Sequence, residues 1–306
     1  MSRLPSPDGT SSKNGMRRKN AVMVAFTLPV FLLYIFFFIV VMILGVYYSM
    51  TNWTGIATSY EFIGLKNYVT VLQDKRFWQA IWFNIRYTIM LDIGVILISL
   101  LIALALNNLK GKFSTVFRSV FFIPAVLSLV TVGLIWNELF LRAFPPIGEA
   151  LGIEWLSNSL LGSPSTAIFG ILIVNLWQGC ATPTVLLLAG LQSVPADLYE
   201  AATIDGANAW QKFKNITIPF LIPIVTMLVI TTTKGGLTIF DYIQAMTAGG
   251  PAQATEAIGI LIYRHAMSEG KFAQSVAESM CLFVIVAIVS FLTIKISSKK
   301  EVGDDA

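Results

Sequence analysis

Six long apolar stretches constrain this chain more than any other feature. Each approaches or exceeds the roughly 20 apolar residues that a helix needs to cross a bilayer core. The stretches are Ala21–Tyr48, Tyr87–Leu106, Val116–Leu139, Thr166–Leu191, Ile216–Phe240 and Val276–Ile294. Helices are favoured because a segment in lipid must satisfy its own backbone hydrogen bonds. The composition agrees, since only 12% of the 306 residues are charged. We therefore predict an all-α membrane protein with six transmembrane helices.

The positions of the basic residues predict the orientation of these helices. With the N-terminus inside, 13 Lys and Arg residues fall in inner segments and 8 in outer segments or at the span edges. Inner loops are also the shorter ones, and Lys and Arg concentrate in short cytoplasmic loops. We therefore predict an N-in/C-in topology. This topology accounts for the net charge of +4 without a nucleic-acid partner.

The segments outside the spans divide the chain further. Residues 1–20 are rich in Ser, Pro, Gly and Asn and predict a disordered cytoplasmic tail. Residues 21–297 form the transmembrane domain, and residues 298–306 form a cytoplasmic C-terminal tail. Between the first two spans, the apolar spacing over Leu65–Trp82 predicts two short amphipathic helices on the membrane surface.

The inner loop between the fourth and fifth spans, residues 193–223, carries the most specific pattern. Ser193 can cap a helix that ends at Asp205 and Gly206, because glycine tolerates the left-handed conformation at a helix end. A second short helix begins near Trp210 and leads into the fifth span. Such an exposed helix–turn–helix either contacts another protein or packs beneath its own bundle, and the residue pattern alone leaves both open.

This loop resembles the EAA signature of binding-protein-dependent ABC importer permeases. The matching residues are Glu200, Ala201, Ala202, Gly206, Ile216, Ile218 and Pro219, with Ile218 where the family has Leu. Flanking residues resemble the carbohydrate branch of that family, including Asp197-Leu198-Tyr199 and Gly249-Gly250-Pro251. The resemblance implies the type I ABC importer permease architecture and a location in a bacterial or archaeal cytoplasmic membrane.

In that family the EAA loop is a coupling helix that docks on a cytoplasmic ATPase subunit. The residues that the resemblance assigns to this contact are Glu200, Ala201, Ala202, Asp205, Gly206 and Pro219. The implied partners are two ATPase subunits, a second homologous permease in a heterodimer or homodimer, an extracytoplasmic solute-binding protein, a sugar and membrane lipid. The chain contains no GxxxxGK[ST] sequence. We therefore expect ATP and Mg²⁺ to bind the partner subunits and no cofactor to bind this chain.

Polar residues within the spans are candidates for a substrate path, because such residues usually face a bundle interior or a water-filled route. Asn175, Gln178 and Thr182 recur at helical spacing in the fourth span, where they either join helices or line a path. In the fifth span, Thr231–Gly236 predicts a break that lines a cavity. The residues that we assign to the path are Asn175, Trp177, Gln178, Asp241 and Tyr242.

No residue pattern indicates catalysis or a metal site. Cys180 and Cys281 have no Cys or His near them in sequence, and the single histidine, His265, is expected in an outer loop as a solvated or structural residue. The leading hypothesis is a non-enzymatic permease subunit for a sugar or oligosaccharide. A permease for a polyol or glycerol phosphate is the alternative, with Lys234 the candidate phosphate ligand. An ion-coupled secondary transporter would be a different class, with Asp92 its clearest buried carboxylate.

Overall fold

The structure, a computed structural model, describes residues 23–109 and 112–301. The predicted tail over residues 1–20 lies outside the described ranges. Residues 302–306 of the predicted C-terminal tail also lie outside them. Over the described ranges the helices are α1 Met23–Ser49, α2 Lys66–Gln73, α3 Lys75–Asn108, α4 Lys112–Phe122, α5 Leu129–Glu138, α6 Phe144–Leu151, α7 Glu154–Ser157, α8 Ala167–Gly179, α9 Ala181–Ser193, α10 Ala196–Ile204, α11 Ala209–Lys212, α12 Ile218–Leu237, α13 Asp241–Met246, α14 Ile258–Met267 and α15 Phe272–Glu301.

Four of these helical segments are each long and apolar enough to cross a membrane: α1, α3, α11 continuing into α12, and α15. Two bent pairs qualify as one span each. Val116–Val126 meets Leu129–Leu151 at 96°, and Ala167–Gly179 meets Ala181–Ser193 at 44°. The predicted six spans are therefore present if each bent pair is one span. Pro124 and the extended backbone of Ser128 account for the sharper bend.

The prediction of two short amphipathic helices over Leu65–Trp82 is wrong in its second half. Only α2 is a separate short helix. Asp74 caps α3, since its Oδ1 accepts a hydrogen bond from the Arg76 N–H at 2.8 Å. The residues after Arg76 are thus the first turns of a 34-residue helix. Phe77 is fully buried in that turn, so this stretch enters the bundle and does not lie on its surface.

The predicted break in the fifth span is also wrong, because α12 runs unbroken to Leu237. Thr231 and Thr232 fit into the helix by donating hydrogen bonds to the carbonyls of Met227 (2.8 Å) and Leu228 (2.9 Å). Gly236 allows a close approach to α3. A Cβ at this position would lie 2.5 Å from the Thr88 Oγ1.

Helix α3 defines two ends of the molecule, since its 34 residues span about 50 Å. At the Lys75 end, Asn84 Nδ2 donates to the carbonyls of Gly236 (3.2 Å) and Leu237 (2.9 Å), and its Oδ1 accepts from the Ile258 N–H (2.9 Å). At the Asn108 end, the core cluster comprises Ala103, Leu106, Leu187, Leu188, Leu191, Leu221 and Leu228. The loop over residues 193–223 therefore lies at the Asn108 end, and α14 lies at the Lys75 end.

Candidate functional site

The EAA loop, residues 193–223, stands out from the Asn108 end. Helix α10 has no buried residue, and the apolar side chains of Ile204 and Trp210 are 87% and 67% exposed. Gly206 ends the helix with φ of +77°, as its sequence position predicts. Ser193 does not cap α10, because its hydroxyl donates to the Gly190 carbonyl of the preceding helix at 2.8 Å. The result is an exposed helical projection with apolar residues on its surface.

Hydrogen bonds between nearby residues hold this projection together. Asn208 and Gln211 form a capping box at the start of α11. Lys212 Nζ donates to Thr203 Oγ1 at 2.7 Å, and the hydroxyls of Tyr199 and Thr217 lie 2.8 Å apart. Thr217 is buried, and it ends a π-helical turn that leads into α12. Helix α10 is thus connected directly to the base of α12.

The six residues assigned to ATPase contact fall into two groups in this loop. The exposed ones are Glu200, Ala201, Asp205 and Gly206. Ala202 is partly buried, and its carbonyl accepts the Ala207 N–H at 2.9 Å to complete the helix end. Pro219 is also partly buried, in the first turn of α12, where a missing N–H is tolerated. Only the first group is fully exposed at the surface of the loop.

A central cavity of about 510 Å³ lies among α3, α8, α9, α12, α13 and the bend after α4. Four of the five residues assigned to a substrate path line it: Asn175, Gln178, Asp241 and Tyr242. Thr182, and Thr232 and Gly235 of the segment predicted to line a cavity, are also in the lining. Sequence reasoning missed the remaining lining residues, which are Leu91, Val95, Ala125, Leu127, Leu129, Gly179, Thr238, Ile239 and Phe240. The lining mixes aliphatic, amide and hydroxyl groups. The Thr232 and Thr238 hydroxyls donate hydrogen bonds to the carbonyls of Leu228 and Lys234 in α12.

Most polar groups of the four predicted residues already have protein partners. Gln178 Nε2 donates to the carbonyls of Pro124 (3.0 Å) and Leu127 (2.8 Å), and its Oε1 accepts from the Tyr242 hydroxyl (2.7 Å). Gln178 therefore fixes the bend after α4. Asn175 Nδ2 donates to the Tyr87 hydroxyl at 2.8 Å. Asp241 is exposed and has no hydrogen bond or ion pair to any other residue that the structure describes.

Trp177 does not join the cavity. Its side chain is 45% exposed, and its ring contacts that of Trp136 with centroids 5.7 Å apart. It lines a separate apolar groove with Ile98 and Phe121. Neighbouring residues on a helix point about 100° apart, so the sequence position beside Gln178 did not place Trp177 on the same face.

Asp92 and Lys234 also lie outside the cavity lining. The Thr233 hydroxyl donates to Asp92 Oδ2 at 2.7 Å, which links α12 to α3. The second carboxylate oxygen, Oδ1, is buried and has no hydrogen-bond partner within the described part of the chain. Lys234 is exposed. Geometry therefore gives neither residue a place beside a ligand in the cavity.

A charged network that sequence reasoning did not find occupies the Lys75 end. Glu256 is 4% exposed and accepts two hydrogen bonds from Arg76, from Nε at 2.7 Å and Nη2 at 2.8 Å, as well as one from Arg264 Nη1. Arg76 Nη1 also donates to Glu269 Oε1 at 3.0 Å. Arg76 and Glu256 are 180 residues apart, so no local sequence pattern signals the pair.

His265 belongs to the same end; its expected position in an outer loop is wrong, and of the two roles left open, solvated or structural, its burial agrees with the structural one. It lies in α14, is 2% exposed, and places Nδ1 2.7 Å from Glu278 Oε1. The ligand atoms of Asp74, His265 and Glu278 lie within 4.8 Å of one another, which is a possible arrangement for a metal ion. The Arg76 N–H donates to Asp74, and His265 lies within hydrogen-bond distance of Glu278. These hydrogen bonds account for the close approach of the three side chains without a metal ion.

Glu269 forms the exposed edge of this network. Lys271 Nζ donates to its Oε2 at 2.7 Å, and Arg76 donates to its Oε1. The Lys271 hydrogen bond, reinforced by the one from Arg76, lowers the pKa of Glu269 from 4.5 to about 2.

Comparison with known proteins identifies the family. The sequence model of the family described as "binding-protein-dependent transport system inner membrane component" matches residues 95–299. The chain belongs to this family. The matched region of the permease contains both the EAA loop and most of the central cavity. The permease is accordingly a multi-pass protein of the cytoplasmic membrane.

Individual relatives cover most of the chain. The permease is 43% identical to MsmF, a multiple sugar-binding transport system permease protein from Streptococcus mutans, over 89% of this chain and 93% of that protein. It is 32% identical to MalF, a trehalose/maltose transport system permease protein from Thermococcus litoralis, over 85% and 88%. Its fold is similar to a chain of a bacterial alginate ABC transporter solved with an alginate pentasaccharide-bound periplasmic protein, with a TM-score of 0.78, 20% identity and coverage of 93% and 96%.

Proposed function

We propose that this permease is a membrane subunit of an ATP-driven ABC importer that takes up a sugar or oligosaccharide delivered by an extracytoplasmic binding protein. The observation that carries the proposal is the exposed EAA loop at one end of a family fold. Apolar side chains as exposed as Ile204 and Trp210 are suited to burial against a partner. Relatives named for sugar transport, such as MsmF and MalF, support the substrate class.

The chemistry of the central cavity favours a neutral polyhydroxyl ligand. Its described lining includes amide and hydroxyl groups and one exposed carboxylate, Asp241, but no Lys or Arg. A phosphate ligand would call for Arg or Lys donors, and Lys234, the candidate for that role, is not part of the lining. The cavity therefore favours a sugar over glycerol phosphate.

The proposed assembly has two homologous permeases, two ATPase subunits that bind ATP and Mg²⁺, and a solute-binding protein. The basic residues support an N-in/C-in orientation, which places the EAA loop and the Asn108 end in the cytoplasm. The Lys75 end then faces outward, towards the binding protein.

In this mechanism the loop transmits ATPase closure to the cavity. Movement of α10 reaches the base of α12 through the Tyr199–Thr217 and Lys212–Thr203 hydrogen bonds. Helix α12 contributes Thr232 to the cavity wall. A displacement of the loop therefore changes the cavity through one rigid helix, as alternating access requires.

Gly206→Leu tests this function, with Gly152→Leu as the matched control. Both glycines have left-handed backbones, φ of +77° and +67°, and open space around the Cβ position. Each substitution thus costs about 1–2 kcal/mol of backbone strain, but only Gly206 lies in the EAA loop. We expect Gly206→Leu to abolish ATP hydrolysis stimulated by loaded binding protein, measured with uptake in reconstituted complexes, and Gly152→Leu to retain it.

Equal stimulation in both variants would show that the EAA loop is not the ATPase contact. Uptake by the purified permease without ATPase subunits would instead support the ion-coupled alternative and overturn the ABC importer function. Membrane insertion of each variant is checked by its yield in the membrane fraction and its elution in gel filtration.

A further inference from the structure

A second, smaller cleft of about 270 Å³ lies at the Lys75 end, away from the central cavity. The polar side chains around it belong to the start of α3 and to the segment before α14. They are Arg76, Gln79, Arg86, Gln253 and Glu256. We call this the outer cleft.

The outer cleft contains an unbalanced positive charge. Arg76 is paired with Glu256 and Glu269. Arg86 is exposed, and its guanidinium lies 6.0 Å from the Trp82 ring centroid without an acidic partner in the described ranges. Arg86 therefore offers a guanidinium that an anion from outside the chain can bind.

Two amide side chains add hydrogen-bonding capacity to the same cleft. Gln79 and Gln253 line it, and neither side chain makes a hydrogen bond to another described residue. A guanidinium with neighbouring amide donors suits a carboxylate, which accepts several hydrogen bonds and pairs with arginine in a bidentate manner.

One wall of the cleft is a strained and firmly held segment. Ala248, Ala252 and Gln253 have φ of +47°, +48° and +62°, where side chains are disfavoured. Arg264 Nη2 donates to the Ala248 carbonyl at 2.8 Å, and Thr255 Oγ1 donates to the Gly250 carbonyl at 2.6 Å. Backbone strain of this kind persists only where surrounding structure enforces it, and it concentrates at functional sites. The cleft is thus preformed.

We propose that the outer cleft receives a carboxylate side chain of the extracytoplasmic binding protein, with Arg86 as its main partner. The inference rests on the proposed function, which places the Lys75 end outside. At about 270 Å³ the cleft has roughly half the volume of the central cavity, which suits one side chain better than an oligosaccharide. Arg86 thereby orients the binding protein over the permease.

The test measures how much binding protein gives half-maximal ATPase stimulation. The full complex is reconstituted in nanodiscs and titrated with its sugar-loaded binding protein. We expect Arg86→Glu to raise the half-maximal concentration about tenfold at about 50 mM salt, and less at about 300 mM salt because screening weakens exposed charge pairs. Arg86→Gln should give a smaller increase at both salt concentrations.

Arg142→Glu is the matched control, because Arg142 is 80% exposed and its partner Glu138 lies one helical turn away. We expect it to change the half-maximal concentration less than twofold, because exposed surface ion pairs contribute little. Reversing one acidic residue on the docking face of the binding protein to Lys should restore stimulation of Arg86→Glu.

The outcomes separate this inference from the proposed function. Unchanged half-maximal concentration in Arg86→Glu, with normal stimulation of the wild type, overturns the cleft assignment alone. A lower maximal uptake rate at an unchanged half-maximal concentration would instead indicate that Arg86 acts on the transported ligand. Absence of stimulation in the wild-type complex overturns the proposed function itself.

Discussion

The two ends of the permease are built from different interactions. At the Lys75 end, buried Glu256 joins Arg76 and Arg264, and buried His265 joins Glu278. At the Asn108 end, α10 has no buried residue and is connected to the rest of the chain by the Tyr199–Thr217 and Lys212–Thr203 hydrogen bonds. One end is fixed by ion pairs in the interior, and the other is an exposed projection held by hydrogen bonds to threonine hydroxyls.

The two ends also differ in how far apart in sequence their contacting residues are, and this determines which end can move. Arg76 and Glu256 are 180 residues apart, so their pairing joins distant spans into one rigid surface. The contacts of the EAA loop join residues 9 and 18 apart, so the loop can move as a local unit with the base of α12. A rigid surface at one end and a movable element at the other are what the proposed importer, with a binding protein outside and ATPase subunits inside, would require.

Glu256→Ala should have the largest effect on stability. The substitution leaves Arg76 and Arg264 without their shared buried carboxylate, and loss of one member of a buried ion pair costs about 3–5 kcal/mol. We expect a clear fall in the melting temperature of the detergent-solubilised permease and in its yield from membranes.

Glu138→Ala is the control for this prediction. Glu138 also pairs with an arginine, Arg142, but the two side chains are 58% and 80% exposed. We expect a change within about 0.5 kcal/mol. Equal melting temperatures for the two variants would contradict the view that buried charge fixes the Lys75 end.

The contrast in sequence separation also decides what could be predicted from sequence. The end of α10 at Gly206 and the short helix at Trp210 follow from neighbouring residues, and both are confirmed. The charged network at Glu256 depends on distant residues brought together by folding, so no pattern revealed it. The unbroken α12 was missed for a similar reason, since Gly236 serves a contact with Thr88 on another helix.

Tyr199→Phe should separate coupling from stability at the Asn108 end. It removes the hydroxyl that contacts Thr217 and retains the ring, so we expect a stability loss of about 1 kcal/mol. Uptake per ATP hydrolysed should fall much more, because this hydrogen bond connects α10 to α12. Both are measured in the reconstituted complex.

Tyr263→Phe is the matched control for Tyr199→Phe. Tyr263 is 45% exposed at the Lys75 end, and its hydroxyl makes no hydrogen bond to another residue in the described part of the chain. It should leave uptake per ATP unchanged. If Tyr199→Phe does the same, transmission passes through another contact, and the Tyr199–Thr217 hydrogen bond is not the route.

The smallest effect is expected at the edge of the charged network, where Glu269 is 29% exposed. Folding lowers its pKa from 4.5 to about 2, so its stabilising contribution is complete above pH 4.5 and is lost as the pH falls towards 2. Between pH 5 and pH 3, the melting temperature of the wild type should therefore fall more than that of Glu269→Gln. Carboxylates elsewhere titrate in both proteins, so the difference between the two slopes isolates Glu269. Parallel slopes would mean that Lys271 and Arg76 do not stabilise its charge, and that the fixed region ends at Glu256.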